Sequence, residues 1–280
     1  MILAIASGKG GTGKTTVTVN LARVMGSRVQ VLDCDVEEPN AQLFLNGEPM
    51  RSRTVSVLVP EVDESLCDGC GDCARVCQFN AIVSFGTAPL VFPELCHGCG
   101  GCSRVCPKQA IGEVERRIGL VETYVAGDIT LTQGTMDVGV AMAPPLIRAV
   151  KDAINDGAPA ILDAPPGTSC PVITTLRGAD CVVLVTEPTP FGLHDLTLAV
   201  DVVRDLGIPF GVVVNRAGVG DDRVHHFCRQ QGIPLLLEIP DDRRIAEAYS
   251  RGRPAVDEFP EYRAGFAALW ERAVDLAEGR

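Results

Sequence analysis

Ile2-Leu3-Ala4-Ile5-Ala6-Ser7-Gly8-Lys9-Gly10-Gly11-Thr12-Gly13-Lys14-Thr15-Thr16 is the stretch whose reading decides the fold. An apolar strand, Ile2–Ala6, runs into a glycine-rich turn, and a helix is expected from Lys14 to about Met25. Gly8 to Thr15 satisfies G-x-x-x-x-G-K-[ST] in that strand–loop–helix setting. Gly8, Gly10, Gly11 and Gly13 let backbone N–H groups curl around phosphate oxygens, and the helix N-terminus adds donors and a favourable dipole. Lys14 is then expected to reach the β- and γ-phosphates and the Thr15 hydroxyl to meet Mg²⁺; Thr12 and Thr16 belong to the same nucleotide-binding set.

Outward from this loop the pattern repeats. A second strand, Val29–Asp33, ends in Asp33-Cys34-Asp35, and apolar runs recur at Ala160–Leu162, Val182–Val185, Val212–Val214 and Leu235–Ile239. Helical stretches are expected around Leu196–Leu206 and Val224–Gln231. Apolar strands alternating with helices imply an α/β fold, a parallel sheet covered on both faces. The apolar runs are too short to span a bilayer. The N-terminus lacks the basic flank and long apolar stretch of a signal peptide, so a cytoplasmic chain is expected. The net charge of −11 argues against a binder of nucleic-acid backbones, and 5% aromatic content leaves little for stacking bases. Neither nucleic acid nor membrane is an expected partner.

The rhythm breaks between residues 60 and 112. Of twelve cysteines, eight lie between Cys67 and Cys106. Shifting the chain by 29 residues lays Cys67, Cys70, Cys73 and Cys77 on Cys96, Cys99, Cys102 and Cys106, and Ala81-Ile82 on Ala110-Ile111. Each set has the C-x₂-C-x₂-C-x₃-C spacing of bacterial two-cluster ferredoxins, in which the fourth cysteine of one run ligates the other cluster. Cys67, Cys70, Cys73 and Cys106 are therefore assigned to one [4Fe–4S] cluster, and Cys96, Cys99, Cys102 and Cys77 to the second. Zinc is the alternative metal, though the doubled run fits two cubanes better. Gln78 stands where the second run has Pro107, which concerns the turn after the ligand rather than the ligand. The expected organisation is a P-loop core in two parts, 1–59 and 113–280, with a small α+β ferredoxin-like insert at 60–112. A short hairpin or two between Glu113 and Val140 should lead back to the sheet.

Lys9 is a second lysine inside the loop. Lys-Gly-Gly-Thr-Gly-Lys-Thr-Thr, residues 9–16, resembles the deviant Walker A sequence of MinD/ParA ATPases, a group that includes nitrogenase iron protein and the Mrp/Nbp35 cluster carriers. The resemblance covers residues 1–45 and about 140–250. It implies an ATP-dependent homodimer in which Lys9 acts in trans on the partner's nucleotide. Asp35 matches the aspartate that orients the attacking water. Ala160-Ile161-Leu162-Asp163-Ala164-Pro165-Pro166-Gly167 resembles Walker B with switch II, so that Asp163 holds the Mg²⁺ shell and the Gly167 N–H senses the γ-phosphate. Asn215, after Val212-Val213-Val214, resembles the family's adenine-side asparagine.

The resemblance and the cysteine spacing together imply an ATP-binding and hydrolysing iron–sulfur protein. Nucleotide-dependent dimerisation would gate electron transfer through the two clusters to a protein partner. The alternative is an Fe–S carrier or a MinD/ParA-like positioning ATPase, its clusters acting as sensor or docking element. Among the remaining residues, Cys34, Cys181 and Cys228 read as core, and Cys170 as a small buried residue or a thiol exposed beside switch II. His194-Asp195 reads as a helix cap, and Phe266–Ala277 as a helix docked on the core rather than on a membrane.

Overall fold

The computed structural model describes every residue except Ser27 and Arg280. Eleven strands occur among the described residues: β1 (Ile2–Ala6), β2 (Val29–Asp33), β3 (Glu48–Val62), β4 (Ile82–Val83), β5 (Leu90–Val91), β6 (Ile111–Ala126), β7 (Ile129–Met136), β8 (Ala160–Asp163), β9 (Cys181–Thr186), β10 (Phe210–Ala217) and β11 (Leu235–Pro240). Nine form one sheet in the order β11-β10-β9-β1-β8-β2-β7-β6-β3. The pairs from β11 through β1 and β8 to β2 and β7 are parallel. This is the α/β P-loop architecture, with the loop strand β1 between β8 and β9.

The chain divides into two compact units. The first comprises Met1–Ser52, Val121–Thr135 and Ile147–Arg280; the second comprises Arg53–Leu120 and Met136–Leu146. The cysteine-rich unit thus takes in more chain than 60–112. The added parts are β3 from Arg53 onward, which precedes the cysteines, β6 as far as Leu120, and Met136–Leu146 at the end of β7 and beyond.

In the first unit, central strands are apolar on both faces because helices cover both. Leu3, Ile5, Val31, Ile161, Val183 and Val213 are at most 1% exposed and pack with Val17 and Leu21 of the helix Lys14–Met25. Gly13, at φ 97°, starts that helix, and Gly26, at φ 60°, ends it. The helix Arg263–Ala277 buries Phe266, Leu269 and Ala273 in the same core, so it docks on the sheet. No helix among the described residues is long and apolar enough to cross a membrane.

In the second unit the 29-residue repeat is visible in the backbone. Gly69 and Gly98 (φ 71° and 63°), Gly71 and Gly100 (φ 78° and 68°), and Asn80 and Gln109 (φ 54° and 51°) are left-handed pairs at the repeat distance. Gly71 and Gly100 each start a one-turn helix, Asp72–Val76 and Gly101–Val105, and these two helices pack together. Two small apolar clusters hold the unit: Val59 with Ala81 and Cys96, and Ile82 with Cys73 and Ile111. So little apolar burial is a weak source of stability, and small domains of this kind usually depend on a metal or other cross-link.

Candidate functional site

The phosphate loop borders a cavity of about 700 Å³ in the first unit. Gly10, Gly11, Gly13, Lys14, Thr15 and Thr16 form one wall, and Asp35, Glu38 and Asn40 another. Asn215, Arg216 and the segment Pro240–Arg243 face them, with Ile245, Ala246 and Tyr249 closing the far side. Gly8 does not line the cavity. A Cβ there would run into the backbone carbonyl of Asp195, so glycine is needed to bring the loop against the helix Pro190–Asp205. Thr12 is buried, and its carbonyl accepts from Asn215 Nδ2 at 2.8 Å. Asn215 is thus tied to the loop as well as facing the cavity. Its Oδ1 accepts from the Arg216 N–H at 3.0 Å.

Three carboxylates stand at the C-terminal ends of β2 and β8, where ligands bind in sheets of this type. Asp33 and Asp163 are neighbours in register and both buried. Asp33 accepts from the N–H groups of Asp35, Asn40 and Ala41 at 3.1, 2.9 and 3.0 Å, and so shapes the loop that carries Asp35. Burial holds the carboxyls of Asp33 and Asp163 above the usual range; repulsion from Asp35 adds to it at Asp33, and repulsion from Asp33 adds to it at Asp163. Asp35 is pushed up to about 6, mainly by burial, against the pull of Lys14. Neither oxygen of Asp163 meets a hydrogen-bond partner. A buried, unpartnered carboxylate near the Thr15 hydroxyl and the Lys14 ammonium suits a divalent cation.

Lys9 does not line the cavity; its Nζ lies 3.6 Å from Glu187 Oε2. Glu187 also meets Arg216 Nη1 at 3.5 Å, and Arg216 Nε donates to Asp241 at 3.1 Å. This ion network links the phosphate loop to the opposite rim, and no sequence motif announces it. The Gly167 N–H donates to the Ser7 carbonyl at 3.0 Å, with Gly167 at φ 98°.

In the second unit the cysteines fall into two hollows. Cys67, Cys70, Cys73 and Cys106 line one; Cys77, Cys96, Cys99 and Cys102 line the other. All twelve cysteines are free thiols. The N–H groups of Gly98 and Ala110 donate to Cys96 Sγ and Cys106 Sγ at 3.4 and 3.3 Å. No group of three or more His, Cys, Asp or Glu side chains among the described residues is arranged to hold a single metal ion. A four-thiol set rimmed by left-handed glycines has the donor chemistry of a larger iron–sulfur group.

Of the two readings of Cys170, the exposed one holds, because the turn after Gly167 leads straight into the helix Cys170–Leu176 and leaves its first residue outside. Two expectations need correction. His194 is not a cap: the helix starts at Pro190, and Thr189 Oγ1 accepts from the Gly192 N–H at 3.0 Å. The stretch from Glu113 to Val140 forms one long hairpin, β6–β7, turned by Gly127-Asp128. Cys34, Cys181 and Cys228 are buried as core residues, and burial raises all three thiols.

Comparison with known proteins agrees with this geometry. Two uncharacterized proteins of Methanocaldococcus jannaschii are each 31% identical, one over 90% of both chains and the other over 86% of both. An iron-sulfur cluster carrier protein of the same organism is 24% identical over 99% of this chain and 85% of its own. The septum site-determining protein MinD of Pyrococcus horikoshii, solved with Mg-ADP, shares the fold with a TM-score of 0.64 at 23% identity, covering 99% of this chain and 96% of that one. Residues 3–255 match the CobQ/CobB/MinD/ParA nucleotide binding domain. The chain belongs to that family and is a nucleotide-binding ATPase of the MinD/ParA type.

Proposed function

We propose that the protein is an ATP-dependent redox protein, in which nucleotide state governs electron transfer through two resident [4Fe–4S] clusters to a protein partner. The observation that carries this is the grouping of the thiols: each hollow draws three cysteines from one run and the fourth from the other. Cys67, Cys70, Cys73 and Cys106 would hold one cluster, and Cys96, Cys99, Cys102 and Cys77 the other. When bound, such clusters supply one-electron chemistry at low potential. Four protein thiolates per cluster leave no ligand position open, which suits a resident electron carrier better than a cargo.

ATP would lie in the cavity with its phosphates on the loop from Gly8 to Thr16. Lys14 would hold the β- and γ-phosphates, and Asp163 and Thr15 the Mg²⁺. Asp35 would orient water for attack at phosphorus, so that ADP and phosphate are formed. Gly167 would follow the γ-phosphate only by releasing its N–H from the Ser7 carbonyl, and Asn215 would stand beside the base while fixing Thr12. Lys9, with Glu187 in the single chain, would move to the partner's phosphates in an ATP-bound homodimer.

The test is anaerobic: the reduced protein is mixed with an oxidised electron-acceptor protein, and reoxidation is followed with ATP, ADP or no nucleotide. A rate that changes with nucleotide supports the reading, and an unchanged rate overturns the gating. A second reading, cluster carriage, draws on the relatives named iron-sulfur cluster carrier proteins. Transfer of iron and sulfide to an apo-ferredoxin, with matching loss from this protein, would favour it.

A further inference from the structure

The 29-residue repeat carries the thiols into both hollows but changes the walls. Around the first hollow stand Asp68, Ser84 and Lys108. Their repeat partners around the second are His97, Glu113 and Phe79, the last at the position that corresponds to Lys108. The equivalence is spatial as well as sequential. Ser84 Oγ sits over Gly71, 3.8 Å from where a Cβ would be, and Glu113 Oε1 sits over Gly100 at 3.2 Å.

The three exchanges alter charge and polarity together. In the first hollow, Lys108 Nζ lies 3.9 Å from Asp68 Oδ2, so that the pair adds no net charge. In the second, that ion pair is replaced by a flat stack of His97 on Phe79, with ring centres 3.6 Å apart and planes 11° apart. A carboxylate is added where the first hollow has a hydroxyl. Leu58, Pro60, Val76, Ala81 and Ile82 complete an apolar wall around the second hollow, against Pro89 and Ile111 in the first. Taking up an electron makes a thiolate-held iron–sulfur group more negative by one charge. An apolar wall and a nearby carboxylate both disfavour that charge, whereas the Asp68–Lys108 pair brings polar groups without net charge against it.

We infer that the two cysteine sites are unequal electron acceptors: the second is the harder to reduce, and a single electron given to the chain rests at the first. This rests on the two-cluster reading above. The direction of transfer follows, with an electron entering at the second site running downhill to the first and leaving past the Asp68–Lys108 rim.

The test is a potentiometric titration of the full chain under anaerobic conditions, with titanium(III) citrate giving one electron per step and paramagnetic resonance reading each site. Iron and sulfide are measured first; about eight irons per chain are expected, and about four or fewer would overturn the two-cluster reading itself. With both clusters present, two one-electron waves are expected, at least about tenfold apart in reduction equilibrium, or about 59 mV. Glu113→Gln should raise only the lower wave, and Lys108→Met should lower only the upper one. A single coincident wave, or Glu113→Gln acting on the upper wave, would overturn the inference while leaving the clusters in place.

Discussion

Asp35 shows how a single residue at the nucleotide site works against the fold. Its carboxyl is pushed up to about 6 by burial, so the charged form is less welcome in the folded chain than in the unfolded one. A group raised in this way favours the fold when protonated and loses that contribution as pH rises through its folded value. Asp35→Asn should therefore stabilise the nucleotide-free chain at pH 7.5, on the order of 1 kcal/mol once solvent screening is allowed for. The gain should fade between about pH 6 and pH 4, and denaturant melts at several pH values check it. In the same variant ATP should still bind while hydrolysis falls by about 100-fold or more. Gly8→Ala tests a different constraint. Its methyl would meet the Asp195 carbonyl, and thermal melts should show a loss of about 1–3 kcal/mol. The glycines of the phosphate loop are legible from the motif alone. The contact that forbids a side chain at Gly8 comes from a helix more than 180 residues later, and local spacing contains no trace of it. The same holds for Asn215, whose amide reaches Thr12 across 203 residues. Lys14→Ala should weaken nucleotide binding by about 10- to 100-fold in calorimetry and leave the iron content unchanged.

Elements differ in how openly the sequence shows them. The central strands of the nucleotide unit carry mostly apolar runs such as Ile2–Ala6 and Val182–Val185, and their two buried faces make them readable. β3 hides. Its first seven residues, Glu48–Thr54, are all exposed, it contains Pro49 and Pro60, and no long apolar run marks it as a strand. It is held by its place at the edge of the sheet rather than by its own pattern. The helix Arg263–Ala277 carries a legible apolar stripe, and Leu269 on it is fully buried. Leu269→Ala should cost about 2–5 kcal/mol in chemical denaturation, as a core position rather than a membrane-facing one. The two cysteine runs permit a sharper test. Cys77 lies in the first run but lines the hollow of the second. Cys77→Ser should lower the iron content from about eight toward about four and remove the resonance of the second site, not the first. The spacing of a cysteine run can be read from sequence. The walls that make the hollows unequal come into view only when Ser84, Phe79, Lys108 and Glu113 are seen around them.

At the scale of the molecule, the nucleotide unit owes its stability to a large apolar core, while the cysteine unit has two small clusters and eight thiols. Iron chelation should therefore act unevenly. Anaerobic treatment with a chelator should leave the nucleotide unit folded and able to bind ATP, while protease sites open between Arg53 and Leu120; limited proteolysis with mass mapping checks this. The order of the sheet also bears on how the chain comes into being. β1, which carries the phosphate loop, is made well before the strands it pairs with, which start at Ala160 and Cys181. At about 5–20 residues per second, that strand waits roughly 10–35 s before its second edge is made. During that interval both cysteine runs emerge. On the two-cluster reading, cluster insertion can precede completion of the nucleotide site, so a nascent chain would take up iron and sulfide before it is able to bind ATP.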